Sequence, residues 1–279
     1  MAKKLIIVLF ILFCLLPLGL SLGYSFLYSI GAVGLLSNGL TLQHWGDLFR
    51  GEFLQSMFYS LWIALASAGM ALVLALTFLF TLRRHFQSAG LYRLLFLPLT
   101  IPPIVVAFVI LQMYSGSGIV SRLAVQTGVI DGIRQFPALV QDPYGIGILL
   151  AHIFIVFPFF LLVLLNLYQH NKLDEIERVA SSLGADSGTI RFKLQLPILM
   201  RGLFPLLILY IIFFMGAYEI PLLLGQSSPQ MISVLILEKL QRFNLGDIPV
   251  AYSMAVWYAF ICIITISYLL MTYRKKVAL

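Results

Sequence analysis

Few side chains in this sequence have the type and setting to do chemistry. Of its 279 residues only 10% are charged, against 61% hydrophobic. Glu219 is the one acidic residue set inside an apolar run long enough to be a membrane span. A charge at a helix centre costs about 2.5–3.5 kcal/mol on insertion scales, so this carboxyl must face a bundle interior or a wet cavity, or be protonated. Two roles fit: a gate or pathway group that helps pass a cation, or a hydrogen-bonded packing residue beside Pro221. Tyr218 and Gln112 join Glu219 as candidate pathway residues. Gln112, His152 and Asn166 also lie within apolar runs, where interhelical hydrogen bonds of about 0.6 kcal/mol are the simpler reading. Cys14 and Cys262 sit in apolar runs and give neither a disulfide framework nor metal spacing. The sequence has no His-x-x-x-His pair for a metal. No glycine-rich run ends in Gly-Lys-Ser/Thr to cradle a phosphate, and residues 184–189 have glycines without the lysine. Clustered catalytic polar residues are missing from the apolar runs, so the chain reads as a non-enzyme that makes no covalent bonds.

The richest polar stretch is residues 171–201. Asp174 is placed to cap a helix, with Glu177 three residues on as its capping-box partner. Ile176, Val179, Ala180 and Leu183 then fall at i, i+3, i+4 and i+7, one apolar stripe. Gly184 supplies the left-handed residue that ends such a helix. Asp186 or Ser187 caps a second helix through Ile190 and Phe192, and Pro197 marks the next turn of chain. The product is a helix–turn–helix held out from the bilayer. Ala180 and Ala185 keep its turn narrow enough to enter a groove on another protein. A partnerless amphipathic hairpin is the plainer alternative.

The elements that must position these residues are membrane helices. About 20 apolar residues cross the hydrocarbon core, and six runs qualify: 5–28, 57–82, 94–114, 146–168, 203–225 and 250–273. They do not alternate as transmembrane strands would. The chain is therefore expected to be an all-α, polytopic membrane protein with six transmembrane helices, in one domain over 1–279. The first run is too long for a signal-peptide core and reads as a retained span. Of the 18 Lys and Arg, Arg50, Arg122, Arg134, Lys239 and Arg242 fall in one set of loops, and the other 13 fall at the termini and in the remaining loops. The positive-inside rule then puts both termini and the 171–201 loop in the cytoplasm. The net charge of +7 is thus spent on topology and argues against nucleic acid as a partner. Residues 40–53, with Trp45, and a helix carrying Ile119, Leu123 and Val125 are expected on the outer surface, either packing over the bundle or meeting a receptor. Pro98, Pro102, Pro103, Pro158, Pro205 and Pro221 fall in the third to fifth spans. They suit helices broken around a cavity, or ordinary kinks.

The 171–201 segment resembles the EAA loop of permease subunits of binding-protein-dependent ABC importers. That motif runs Glu-Ala-Ala, three residues, Gly, nine residues, then apolar, any residue, Leu and Pro. Here Val179-Ala180 stand for the alanines, Gly184 follows Ser181-Ser182-Leu183, and nine residues lead to Leu194-Gln195-Leu196-Pro197. Arg178 occupies the glutamate position, with Glu177 displaced by one, and Val179 replaces the first alanine. Residues 41–53, 97–103 and 216–225 also look like family segments, the last similar to permeases for polyamines, ferric iron, sulfate and related small solutes. The resemblance implies a MetI-like core of five helices with an extra first span, in a bacterial cytoplasmic (inner) membrane. It implies a second permease, the same or different, two ATPase subunits that hold ATP and Mg, and an extracytoplasmic solute-binding protein. This chain would bind no cofactor. Glu177, Val179, Ala180, Leu183, Gly184, Ala185, Leu196 and Pro197 would form the coupling helix and its end, which rests on the ATPase and drives alternating access. An ion-coupled secondary carrier or channel is the rival reading, but inverted repeats are not visible.

Overall fold

The computed structural model describes residues 2–34, 37, 39–49, 51–86 and 89–277. Arg50, counted above with the outer loops, lies outside them. Among the described residues all regular structure is helical. Six segments are long and apolar enough to cross a membrane: Lys4–Ser29, Glu52–Arg83, Pro103–Gln126, Ile146–His170, Ser187–Met215 and Asp247–Thr272. The expected all-α polytopic class therefore holds.

Two compact units divide the chain. The first takes Met1–Met57 and Ile232–Leu279. It contains α1 (Ala2–Ser29), α2 (Gln43–Leu48), the start of α3 (Glu52–Phe86), α12 (Ile232–Gln241) and α13 (Asp247–Val277). Helix α1 lies along α13, where Tyr28 stacks on Tyr252 with ring centroids 4.5 Å apart. The rest of α1, from Leu5 through Phe13 to Leu20, exposes apolar side chains as a lipid-facing helix does. Helix α2 packs on α13: Trp45 Nε1 donates to Ser29 Oγ at 3.3 Å and its ring meets Trp257 edge-on. Of the two readings of residues 40–53, packing is the one these contacts express. Leu48, Phe53, Ile232, Leu235 and Met254 form the core of this unit.

The second unit, Phe58–Met231, carries the rest of α3. It adds α4 (Ala89–Leu94), α5 (Pro103–Tyr114), α6 (Ile119–Gln126), α7 (Ile146–His170), α8 (Leu173–Ser182), α9 (Ser187–Thr189), α10 (Leu196–Met215) and α11 (Glu219–Leu224). Along α3, Ala64, Ala68, Ala71 and Ala75 are all buried at helical spacing, small residues that let another helix approach. Ser67 meets His152 Nδ1 of α7 at 3.1 Å, and Phe78 meets Phe157 at 5.0 Å. Tyr59, Ile63, Val106, Ala107, Ile110, Ile148, Ala151, Ile220 and Leu224 form one apolar core from α3, α5, α7 and α11.

Two spans differ from the sequence expectation. The third does not run unbroken over 94–114. A 3-10 turn at Pro98–Thr100 gives way to extended Ile101 and Pro102 (ψ 125° and 140°) before α5 starts at Pro103. Each of those two residues precedes a proline, which disfavours helical ψ. The 12 residues of α5 cover only about 18 Å. The fifth span ends with α10 at Met215, and the helix restarts as α11. In a continuous helix the Pro221 ring would strike the carbonyl four residues back; at the head of α11 no N–H is needed from it. Only Pro158 and Pro205, of the six prolines noted above, sit inside helices.

Candidate functional site

The polar segment after α7 folds by local rules. Lys172 takes a left-handed conformation (φ 49°) between α7 and α8, and its carbonyl accepts the first α8 hydrogen bond from the Glu175 N–H at 2.9 Å. Lys172, and not Asp174, therefore stands at the cap position, which corrects the capping-box expectation. The reason is electrostatic. The Asp174 and Glu177 carboxylates, one turn apart on α8, both face the Arg83 guanidinium near the end of α3. Arg83 Nη2 lies 3.3 Å from Asp174 Oδ1 and 2.5 Å from Glu177 Oε2. Both carboxylates are thereby engaged by a full positive charge rather than by a neutral N–H.

The cluster has further members. Arg83 Cζ sits 4.6 Å from the Tyr168 ring centroid. The Tyr168 hydroxyl donates to Glu177 Oε2 at 3.0 Å. Gln195, fully buried, donates from Nε2 to the same oxygen at 3.1 Å and to Tyr168 Oη at 3.2 Å. Burial pushes the Glu177 carboxyl up, but the hydrogen bond and charge of Arg83, with the Gln195 and Tyr168 bonds, more than offset it and hold the group below its usual range. The clamp is thus ionised at neutral pH and loosens as pH falls through that lowered value.

Helix α8 ends as Gly184 requires. Gly184 has φ 85°, its N–H reaches Ser181 O at 3.0 Å, and the Ala185 N–H reaches Ala180 O at 3.0 Å. These are the two bonds of a Schellman motif. Asp186 then caps α9, accepting from the Thr189 N–H at 3.0 Å. Pro197 does not start a new turn of chain. A π-helical stretch, Ile190–Gln195, runs straight into α10, and the Leu196 N–H reaches back five residues to Arg191 O. A π turn widens the helix by one residue and admits Pro197 at the first turn of α10.

The expected apolar stripe splits. Ala180 is buried, together with Leu173, whereas Val179 and Leu183 are 60% and 82% exposed. With Glu175, Ile176, Ala180 and Leu194 they line an open groove of about 450 Å³. Arg178 is exposed, while Glu177 is turned into the Arg83 cluster. Gly184 is exposed, Ala185 and Leu196 are half-buried, and Pro197 is exposed. The eight coupling-loop residues are therefore brought together in sequence order but on different faces.

The pathway candidates lie apart from this segment. Gln112 is exposed on α5, and Tyr218 is half-buried. Glu219 is not inside a span: it is the exposed first residue of α11, where a carboxylate suits the positive end of the helix dipole. His152 makes the expected interhelical bond, to Ser67, and stacks on Phe214 at 4.2 Å. Asn166 instead donates to Leu162 O within its own helix at 2.9 Å.

Sequence reasoning missed Arg83, Tyr168, Gln195 and Asp142. Arg83 entered only as a topology charge. Asp142, 2% exposed, accepts from the N–H groups of Tyr144 (2.9 Å) and Ile146 (2.8 Å) and so secures the start of α7. An Asp two residues ahead of Tyr144 and followed by Pro143 is a legible turn signal.

Comparison with known proteins gives three results. No protein-family model matches the chain. Over 150 residues it is 30% identical to the thiamine transport system permease protein ThiP of Brucella abortus (strain 2308), covering 52% of this chain and 26% of that protein. The same figures hold for ThiP of Brucella suis biovar 1 (strain 1330). The chain thus spans about a quarter of the length of the curated relatives it matches. Among solved structures it superposes on a chain of a bacterial ABC transporter involved in import of the acidic polysaccharide alginate. The TM-score is 0.65 at 15% identity, over 98% of this chain and 94% of that one. A second match is the bacterial alginate ABC transporter in complex with an alginate pentasaccharide-bound periplasmic protein, with TM-score 0.63 at 17% identity, over 96% and 91% of the two chains. The fold is that of these importers' chains, and the sequence is similar to a transport-system permease.

Proposed function

We propose that this chain is the transmembrane permease subunit of an ATP-binding-cassette importer in a bacterial inner membrane, with all 279 residues forming one permease domain. It forms the pathway for a small solute handed over by an extracytoplasmic binding protein. The ATP and Mg chemistry belongs to separate ATPase subunits, and a second permease, the same or different, completes the pore. Gln112, Tyr218 and Glu219 are assigned to that pathway. Thiamine, the solute in the name of the related permease, is the first to assay, followed by the polyamines.

One observation carries the reading. Helix α8 presents Val179 and Leu183 to solvent on a short element bounded by two left-handed residues, Lys172 and Gly184. Apolar side chains this exposed, lining one groove on a polar loop, suit a surface that another protein covers. The alginate importers' likeness over nearly the whole chain supports the same view. An ion-coupled carrier would have no use for this surface.

The test is a single charge in the apolar face. In the complex purified with its partner ATPase, Leu183→Arg should weaken ATPase retention about tenfold or more, the loss expected of a buried anchor. Leu183→Met should retain it. Equal retention by Leu183→Arg and wild type would remove α8 from the interface.

A further inference from the structure

The geometry points to Arg83 as a positioning residue that couples displacement of α8 to the cytoplasmic end of α3. This rests on the reading of α8 as the element a partner moves. Four parts of the second unit meet in one cluster: α3 supplies Arg83, α7 supplies Tyr168, α8 supplies Asp174 and Glu177, and the π stretch supplies Gln195, which bonds to Glu177 and Tyr168. The Arg83 side chain is only 12% exposed. The carboxylates are more open, Glu177 at 35% and Asp174 at 47%, so pulling them away strands chiefly the largely buried guanidinium.

The rest of the α8 anchorage is slight. Its buried side chains are Leu173 and Ala180, one at its start and one a single small methyl. Both ends turn through left-handed residues, Lys172 and Gly184, so the backbone reverses direction on each side of the helix. Along the chain, α8 reaches α3 only by way of α7 and everything between residues 86 and 146. The Arg83 link crosses that separation of 91 and 94 residues directly. A push on α8 therefore reaches α3 through this link as well as α7, which meets α8 at Tyr168. Lysine would keep the charge but lose the planar guanidinium that lies over the Tyr168 ring while one of its nitrogens meets both carboxylates.

The departure from the motif has the same explanation. Glu177 is spent on the internal link, and the next side chain round the helix, Arg178, is the one left facing outward. Consecutive helical residues point about 100° apart, so one helix cannot aim both at the same partner.

Two measurements test the inference. The first uses the full chain in nanodiscs and follows amide exchange. Arg83→Gln should speed exchange in Leu173–Ser182 about tenfold and leave the buried middle of α7 unchanged. The charge swap Arg83→Glu with Glu177→Arg should bring the rate back toward wild type. The second uses the assembled transporter in vesicles and reads solute taken up per ATP hydrolysed. Arg83→Gln should lower that ratio at least fivefold, and the swap should restore it. A wild-type exchange rate or a wild-type ratio for Arg83→Gln overturns the inference, as does a swap no better than the single change. If Arg83→Gln does not reach the membrane, Glu177→Gln cuts the same link from its other end and must give the same two results. Should wild type itself show no ATP-driven uptake, the functional reading fails, while the exchange measurement still decides whether Arg83 holds α8.

Discussion

Glu177 and Arg178 are neighbours in sequence and opposites in role. The first is gathered into a cluster with Arg83, Tyr168 and Gln195, and the second points out. No inspection of residues 171–201 alone could have shown this, because the partner that orients Glu177 lies 94 residues upstream. Helical spacing predicts which residues share a face; it does not predict which face a distant cation will claim. Gly184 is the opposite case. Its role is local, set by the stripe that precedes it, and the structure gives it φ 85°. A Cβ at this position meets nothing within 4 Å in the chain, so substitution costs only backbone strain. Gly184→Ala should therefore destabilise the end of α8 by about 1 kcal/mol, and Gly184→Asn by less. Amide exchange at Leu183 to Ala185 reads this directly. Unchanged protection in Gly184→Ala would mean that the left-handed turn is not what ends the helix.

At the scale of elements, the six spans were legible because length and hydropathy alone define a crossing. Their interruptions were not. Apolar residues continue through residues 216–218 and through the stretch before Pro103, so composition gives no sign of a break. Proline marks both places, but a proline at a helix start and a proline inside a helix look alike in a one-dimensional reading. Pro103 and Pro221 are starts, whereas Pro158 and Pro205 are interior. The π stretch before α10 was invisible for a related reason. It is defined by which carbonyl the Leu196 N–H chooses, a matter of one residue in register. The start of α7 depends on a single carboxylate. Asp142→Ala should cost about 1–3 kcal/mol, the usual loss when donors lose a buried acceptor, and Asp142→Asn about half as much. The apparent melting temperature in detergent measures both. A melting temperature for Asp142→Ala equal to wild type would show that the Tyr144 and Ile146 N–H groups are satisfied without it.

At the scale of the whole molecule, the chain shows no phosphate-cradling motif in its sequence. Its apolar surface makes it a multi-pass membrane protein, and its fold is shared with chains of ABC importers. The central claim is that work done on α8 by another protein opens the pathway. Solute accumulation in sealed vesicles tests this most directly. Vesicles holding this chain, its companion permease, the ATPase and the binding protein should concentrate solute only when ATP is supplied on the α8 side. Vesicles holding this chain alone should stay at equilibrium with the medium under any ion gradient. Accumulation by the chain alone, driven by a proton or sodium gradient, would contradict the account.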